Sequence, residues 1–159
     1  MNHETPSPYC YWLPEYSVGH KIVDEQHKKI FSMINELHAA ISCEDENTII
    51  KRVLDEMADY IEYHFDTEKS YLKKMPEFTG HERKHWEFTQ RTLQFATEYY
   101  RHPRKEILHD IVSFLSYWLK DHIKRTDIDQ FNLYYQRLNS KSVKPSSDNG
   151  KKTDDEKGL

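Results

Sequence analysis

The chain has 159 residues, enough for one domain with a hydrophobic core of its own and too few for two ordinary ones. Its 23 basic residues stand against 27 acidic ones with no basic face, which argues against nucleic acid as a partner. Cys10 and Cys43 are the only cysteines and lack a C-x-x-C spacing, so neither a disulfide framework nor a thiolate metal site is expected. No uncharged apolar run reaches membrane-spanning length, and the first residues lack a basic stretch followed by an apolar one, so the expectation is a soluble cytoplasmic protein with no membrane partner.

From Met1 to about Gly19, Pro and aromatic residues (Tyr9, Tyr11, Trp12, Pro14, Tyr16) predict a non-helical extended arm packed on the domain by its rings. Four segments of helical period follow, at about 23–42, 47–75, 79–100 and 104–122, separated by short links containing Asp45, Pro76 and Pro103. A shorter helix is expected at 129–138. Residues 140–159 carry Ser, Lys, Asp and Gly with almost no apolar side chain and are expected to form a disordered polar tail beyond a domain spanning 1–139. Short links favour antiparallel neighbours, so the predicted fold is all-α, an up-down-up-down four-helix bundle with an N-terminal arm and a short C-terminal helix.

The inward stripes read Val23, His27, Ile30, Ile34, Leu37, Ile41 in the first helix and Ile50, Leu54, Met57, Ile61, His64, Glu68, Leu72, Met75 in the second. The third gives His81, His85, Phe88, Thr92, Phe95, Tyr99, and the fourth gives Leu108, Ile111, Leu115, Leu119, His122. Histidine and glutamate thus interrupt otherwise apolar faces. In an antiparallel bundle the starts of the first and third helices meet the ends of the second and fourth, which brings all six interruptions to one end. The pairs His64/Glu68 and His81/His85 are spaced i, i+4, so each can address one centre.

A single histidine on an apolar stripe is more often a satisfied core residue, but here that explanation has to hold for several residues at one level. Uncompensated buried polar groups cost several kcal/mol each, against a total domain stability of about 5–15 kcal/mol. One glutamate cannot neutralise five imidazolium groups, whereas a cation reverses the sign of the problem. The cluster offers too many ligands for one tetrahedral zinc, which points to two metals. Asp127, five residues after His122, is the seventh candidate, with Asp121 and Asp129 as rivals. It is expected where the fourth helix gives way and a turn swings its carboxylate back.

Taken together, Asp24-Glu25-Gln26-His27, His64-x-x-x-Glu68, His81-x-x-x-His85 and His122-x-x-x-x-Asp127 resemble the ligand set of the hemerythrins, and most closely the single-domain bacterial members, the bacteriohemerythrins. The likeness runs from about Trp12 to about Leu138. It implies two iron ions, one held by His81, His85 and His122 and the other by His27 and His64, with Glu68, Asp127 and an oxo or hydroxo group bridging both. It also implies reversible dioxygen binding, as carrier, store or buffer, with dioxygen held as hydroperoxide at the five-coordinate iron, and delivery to an unidentified oxygen-consuming acceptor protein. Trp118 and Leu119 fit the apolar lining that relatives place around the oxygen pocket. His20 stands where relatives usually have an aliphatic residue. His38, His102 and His109 fall off the inward stripes and are expected to be solvated. The alternatives are a diiron redox enzyme, which generally uses more carboxylate ligands, and an oxygen or redox sensor.

Overall fold

Each apolar stripe becomes the buried face of a helix. The computed structural model describes residues 8–42 and 46–142. Its helices are α1 (Lys21–Ala40), α2 (Glu46–Leu72), α3 (Phe78–Arg101), α4 (Lys105–His122) and α5 (Ile128–Ser142), and no strand occurs among the described residues. Helix α1 packs on α2 and α4, and α3 packs on α2 and α4, which closes a four-helix bundle. No helix among the described residues is long and apolar enough to cross a membrane.

Ile30, Ile34 and Leu37 of α1, Ile50, Leu54, Met57 and Ile61 of α2, and Leu108, Ile111, Leu115 and Leu119 of α4 are buried together in one apolar cluster. Full burial of such a side chain contributes about 1.5–3 kcal/mol, so this half of the bundle supplies the cohesion. Helix α3 contributes less, with Phe88 and Tyr99 buried and Phe95 half-buried against the same cluster. The opposite half of the bundle carries the polar interruptions.

Helix boundaries shift for local reasons. Helix α1 begins two residues early because Asp24 ties down the chain before it, accepting from the Val18 amide at 2.8 Å and the Ser17 hydroxyl at 2.6 Å. Gly19 makes the turn between them with φ +74, a region that costs L side chains energy. Helix α2 stops at Leu72 rather than 75, since Met75 donates to the Leu72 carbonyl in a tight turn and Pro76 follows.

The arm is not wholly extended as expected, for Pro14–Tyr16 form one turn of 3-10 helix led by the proline. Tyr16 is buried, stacked on Phe31 with centroids 5.5 Å apart, and Trp12 meets the same ring edge-on. Asn35 exchanges two 2.9 Å hydrogen bonds with the Cys10 backbone, which fixes the start of the arm to α1. Helix α5 runs to Ser142, so the first residues of the expected tail are helical. The rest of that tail, Cys43, the Asp45 link and residues 1–7 lie outside the described residues.

Candidate metal centre

The structure brings the seven sequence-predicted ligand residues together at one end of the bundle. His27 comes from the second turn of α1, His64 and Glu68 from the second half of α2, His81 and His85 from the first turns of α3, and His122 from the end of α4. All are buried, and His27, Glu68 and Asp127 have no exposed surface.

Asp127 reaches the site by a route different from the expected turn. The helix does not give way after His122. It widens into a π-helical turn over Ile123–Asp127, in which the Ile128 amide donates to the Ile123 carbonyl, and then continues as α5. Five residues of α-helix would turn Asp127 about 140° away from His122, whereas the wider turn brings both to one face. Asp121 is instead paired with Arg125 at 2.8 Å and Asp129 is exposed, so neither rival enters the cluster.

The ligand-type atoms fall into two groups that share Glu68: Glu68, His81, His85, His122 and Asp127 in one, and His27, His64 and Glu68 in the other. Glu68 Oε1 lies 3.5 Å from both His27 Nε2 and His64 Nε2, while Oε2 lies 3.4 Å from His81 Nε2 and 3.2 Å from His85 Nε2. Asp127 repeats the arrangement, with Oδ2 at 3.4 Å from His27 Nε2 and Oδ1 at 3.1 and 3.0 Å from His81 and His122 Nε2. Each carboxylate therefore turns one oxygen to each group.

Protein partners alone leave this arrangement unsatisfied. The Nε2 atoms of His81, His85 and His122 converge at 2.9–3.1 Å, where three imidazoles cannot all donate to one another. Two nitrogens bound at about 2.1 Å and at right angles around one ion would be separated by about 3.0 Å, which matches. Both oxygens of Glu68, both of Asp127 and both ring nitrogens of His27 are buried without a hydrogen-bond partner. Buried orphans of this kind would each cost roughly 1–3 kcal/mol or more, and cations between them would satisfy the four carboxylate oxygens and His27 Nε2 together, leaving only His27 Nδ1. The residues present fit a metal.

Electrostatics point the same way. Burial lowers the His27 and His81 pKa values, but the Asp127 and Glu68 carboxylates outweigh it and raise each to about 9. Burial lowers His64 to about 3, and it also lowers His85. For Glu68 burial opposes ionisation, yet the surrounding histidines, His64 first, hold the carboxyl well below its usual range. Asp127 is likewise held well below its usual range, by His122 first among the histidines, against burial and the charge of Glu68. The carboxylates are thus ionised and attractive to a cation.

Aromatic rings wall the site. Phe65, which follows His64 in α2, lies flat on His85 with centroids 3.6 Å apart and an angle of 6°. Trp118 lies flat on His122 at 4.2 Å and 13°, and Trp12 of the arm faces His27 at 6.2 Å. Leu119 is buried in the main apolar cluster, one turn before His122. Phe65 was not singled out from sequence, although its place beside His64 was the available signal. Gln26, which precedes His27 in the Asp24-Glu25-Gln26-His27 motif, is buried, and its Oε1 lies 3.0 Å from His64 Nδ1. His20 is half-buried between Tyr71 and Phe131, at the start of α1 and outside both ligand groups. His102 and His109 are exposed as expected, whereas His38 is half-buried and stacked on Tyr9.

Fold and site together define a helical-bundle protein with a buried, histidine-rich cation site. A family model described as the hemerythrin HHE cation binding domain matches residues 18–134, and the chain belongs to that family. A bacteriohemerythrin of Stenotrophomonas maltophilia is 28% identical over 118 residues, covering 73% of this chain and 75% of the relative. A hemerythrin-like protein of Naegleria gruberi is 30% identical over 125 residues, covering 77% and 91%. A bacteriohemerythrin of Pseudomonas aeruginosa is 28% identical over 141 residues, covering 87% and 90%. Among solved structures, a hemerythrin carrying a leucine-to-tyrosine mutation superposes with a TM-score of 0.73 at 23% identity, covering 80% of this chain and 98% of the other, a likeness of fold.

Proposed function

We propose that the chain binds dioxygen reversibly at a centre of two iron ions and serves as a carrier, store or buffer of oxygen rather than as an enzyme. His81, His85 and His122 would hold one iron, His27 and His64 the other, and Glu68 and Asp127 would bridge them. The observation that carries this reading is the pair of buried carboxylates, each with one oxygen toward three-histidine ligation and one toward two-histidine ligation. The two-histidine position has one imidazole fewer and would be the one to take dioxygen.

Two ferrous ions, when bound, supply the electrons that dioxygen binding requires. The chain does the rest. Glu68 and Asp127 offset part of the cationic charge, so the centre can sit in a dry interior. Leu119 and Trp118 would line the oxygen pocket, Trp118 from the side of His122 on which it is stacked, and Trp12 facing His27 and Phe65 on His85 would help keep water and protons from the centre. Five imidazoles against two carboxylates, all but closed to solvent, favour small-ligand binding over turnover of a larger substrate. The partners are dioxygen and an acceptor protein that consumes it, in the cytoplasm.

Anaerobic protein reconstituted with ferrous iron should gain an intense visible absorption band on exposure to air and lose it under vacuum, through repeated cycles. Bleaching in the first cycle with release of hydrogen peroxide would favour a diiron enzyme instead.

A further inference from the structure

One polar chain runs from the half-buried Thr67 on α2 inward through the buried Gln26 to His64, and it has a fixed direction. Thr67 Oγ1 donates to the Tyr63 carbonyl at 2.9 Å, one turn back along α2. Its proton is thereby committed, so toward Gln26 the hydroxyl can only accept, and Gln26 Nε2 donates to it at 3.0 Å. That contact sets the orientation of the Gln26 amide, placing Oε1 rather than the NH2 group 3.0 Å from His64 Nδ1. An amide oxygen has no proton to give, so His64 must carry its own on Nδ1.

The neutral ring then presents a lone pair at Nε2, the atom facing Glu68 Oε1 at 3.5 Å. His27 differs, because its Nδ1 is buried without any partner. Of the two histidines on that side of the cluster, only His64 has its tautomer dictated by the fold. We infer that Gln26 is a positioning residue, held by Thr67, that sets the tautomer and donor strength of His64 and so the metal affinity and redox balance of the two-histidine position. The relay presupposes the ligand role of His64 proposed above, but its first test does not use metal.

In 15N NMR of the metal-free chain, His64 should carry its proton on Nδ1. Thr67→Val removes the acceptor that orients Gln26 and should give a mixture of tautomers, and Thr67→Ser should restore the single form. In the metal-loaded protein, Gln26→Met, close in volume but without an acceptor, should weaken metal binding by about 10–100-fold, as loss of such a partner does. Gln26→Glu supplies a charged acceptor, makes His64 the stronger donor and should lower the midpoint potential, while Gln26→Met should raise it. A residue that only fills space would not move the potential in opposite directions. A proton on Nε2 of His64 in the wild type, or a shift of both potentials in the same direction, would overturn the inference. If the NMR and potential results hold while oxygen uptake fails, the oxygen reading falls and the relay stands.

Discussion

Leu119→Ala separates a pocket residue from ordinary core. The side chain is buried, 4% exposed, one turn before His122 on the inward face of α4, while Leu115 is 1% exposed one turn farther away in the same apolar cluster. Removing roughly three CH2 equivalents forfeits about 2.4 kcal/mol of transfer free energy. The residual cavity brings the cost into the range of about 2–5 kcal/mol, below the stability of a typical domain at about 5–15 kcal/mol. Both variants should therefore fold, with similar losses in urea denaturation. They should differ in the oxygenated state, because the Leu119→Ala void would admit water and protons beside the cluster and the Leu115→Ala void would not. The assay is the decay of the oxygen-dependent absorption band in both variants under identical conditions. Equal decay in the two, or wild-type decay in Leu119→Ala, would show that Leu119 is plain core.

Glu68→Ala removes the carboxylate shared by both ligand groups and should reduce iron to fewer than two per chain by elemental analysis. Inserting one alanine after Lys124, exposed within the π-helical turn, should rotate Asp127 by about 100° off the face it shares with His122, so that metal content falls while helical circular dichroism persists. In the metal-free chain the raised pKa of His27 and His81 stabilises the fold fully below pH 6.5 and is lost as the pH rises through about 9. The depressed Glu68 and Asp127 stabilise it above their ordinary values and lose that contribution as the pH falls, and neutral His64 and His85 add to the acid loss below pH 6.5. Urea midpoints of the metal-free chain should therefore peak near pH 6.5 and decline toward pH 9, and bound metal should abolish the alkaline decline. Asn35→Ala breaks both hydrogen bonds to the Cys10 backbone and should cost about 1–3 kcal/mol by denaturation without changing metal content.

The bundle and most of the cluster were legible because both are written in a 3.6-residue period. His27, His64, Glu68, His81, His85 and His122 interrupt stripes such as Ile30–Ile34–Leu37 at the spacing that keeps one face, and antiparallel order brings them to one level. Asp127 was harder, since five residues do not fit that period and the accommodating π-helical turn has no strong local signature in Ile-Lys-Arg-Thr-Asp. The arm turn at Pro14–Tyr16 was missed because a proline-led 3-10 turn and an extended proline segment share the same composition. Gln26 and Phe65 escaped for another reason. Their roles depend on which groups of a neighbouring helix they meet, Thr67 and His64 for one and His85 for the other, and periodicity carries no such information.

Oxygen stoichiometry tests the central claim most directly. Ferrous protein of known iron content should take up one dioxygen per two irons in a closed anaerobic cell fitted with an oxygen electrode, and should return the same amount under vacuum. Uptake at another ratio, or oxygen that is consumed and reappears only as hydrogen peroxide or water, would contradict reversible binding at a two-iron centre.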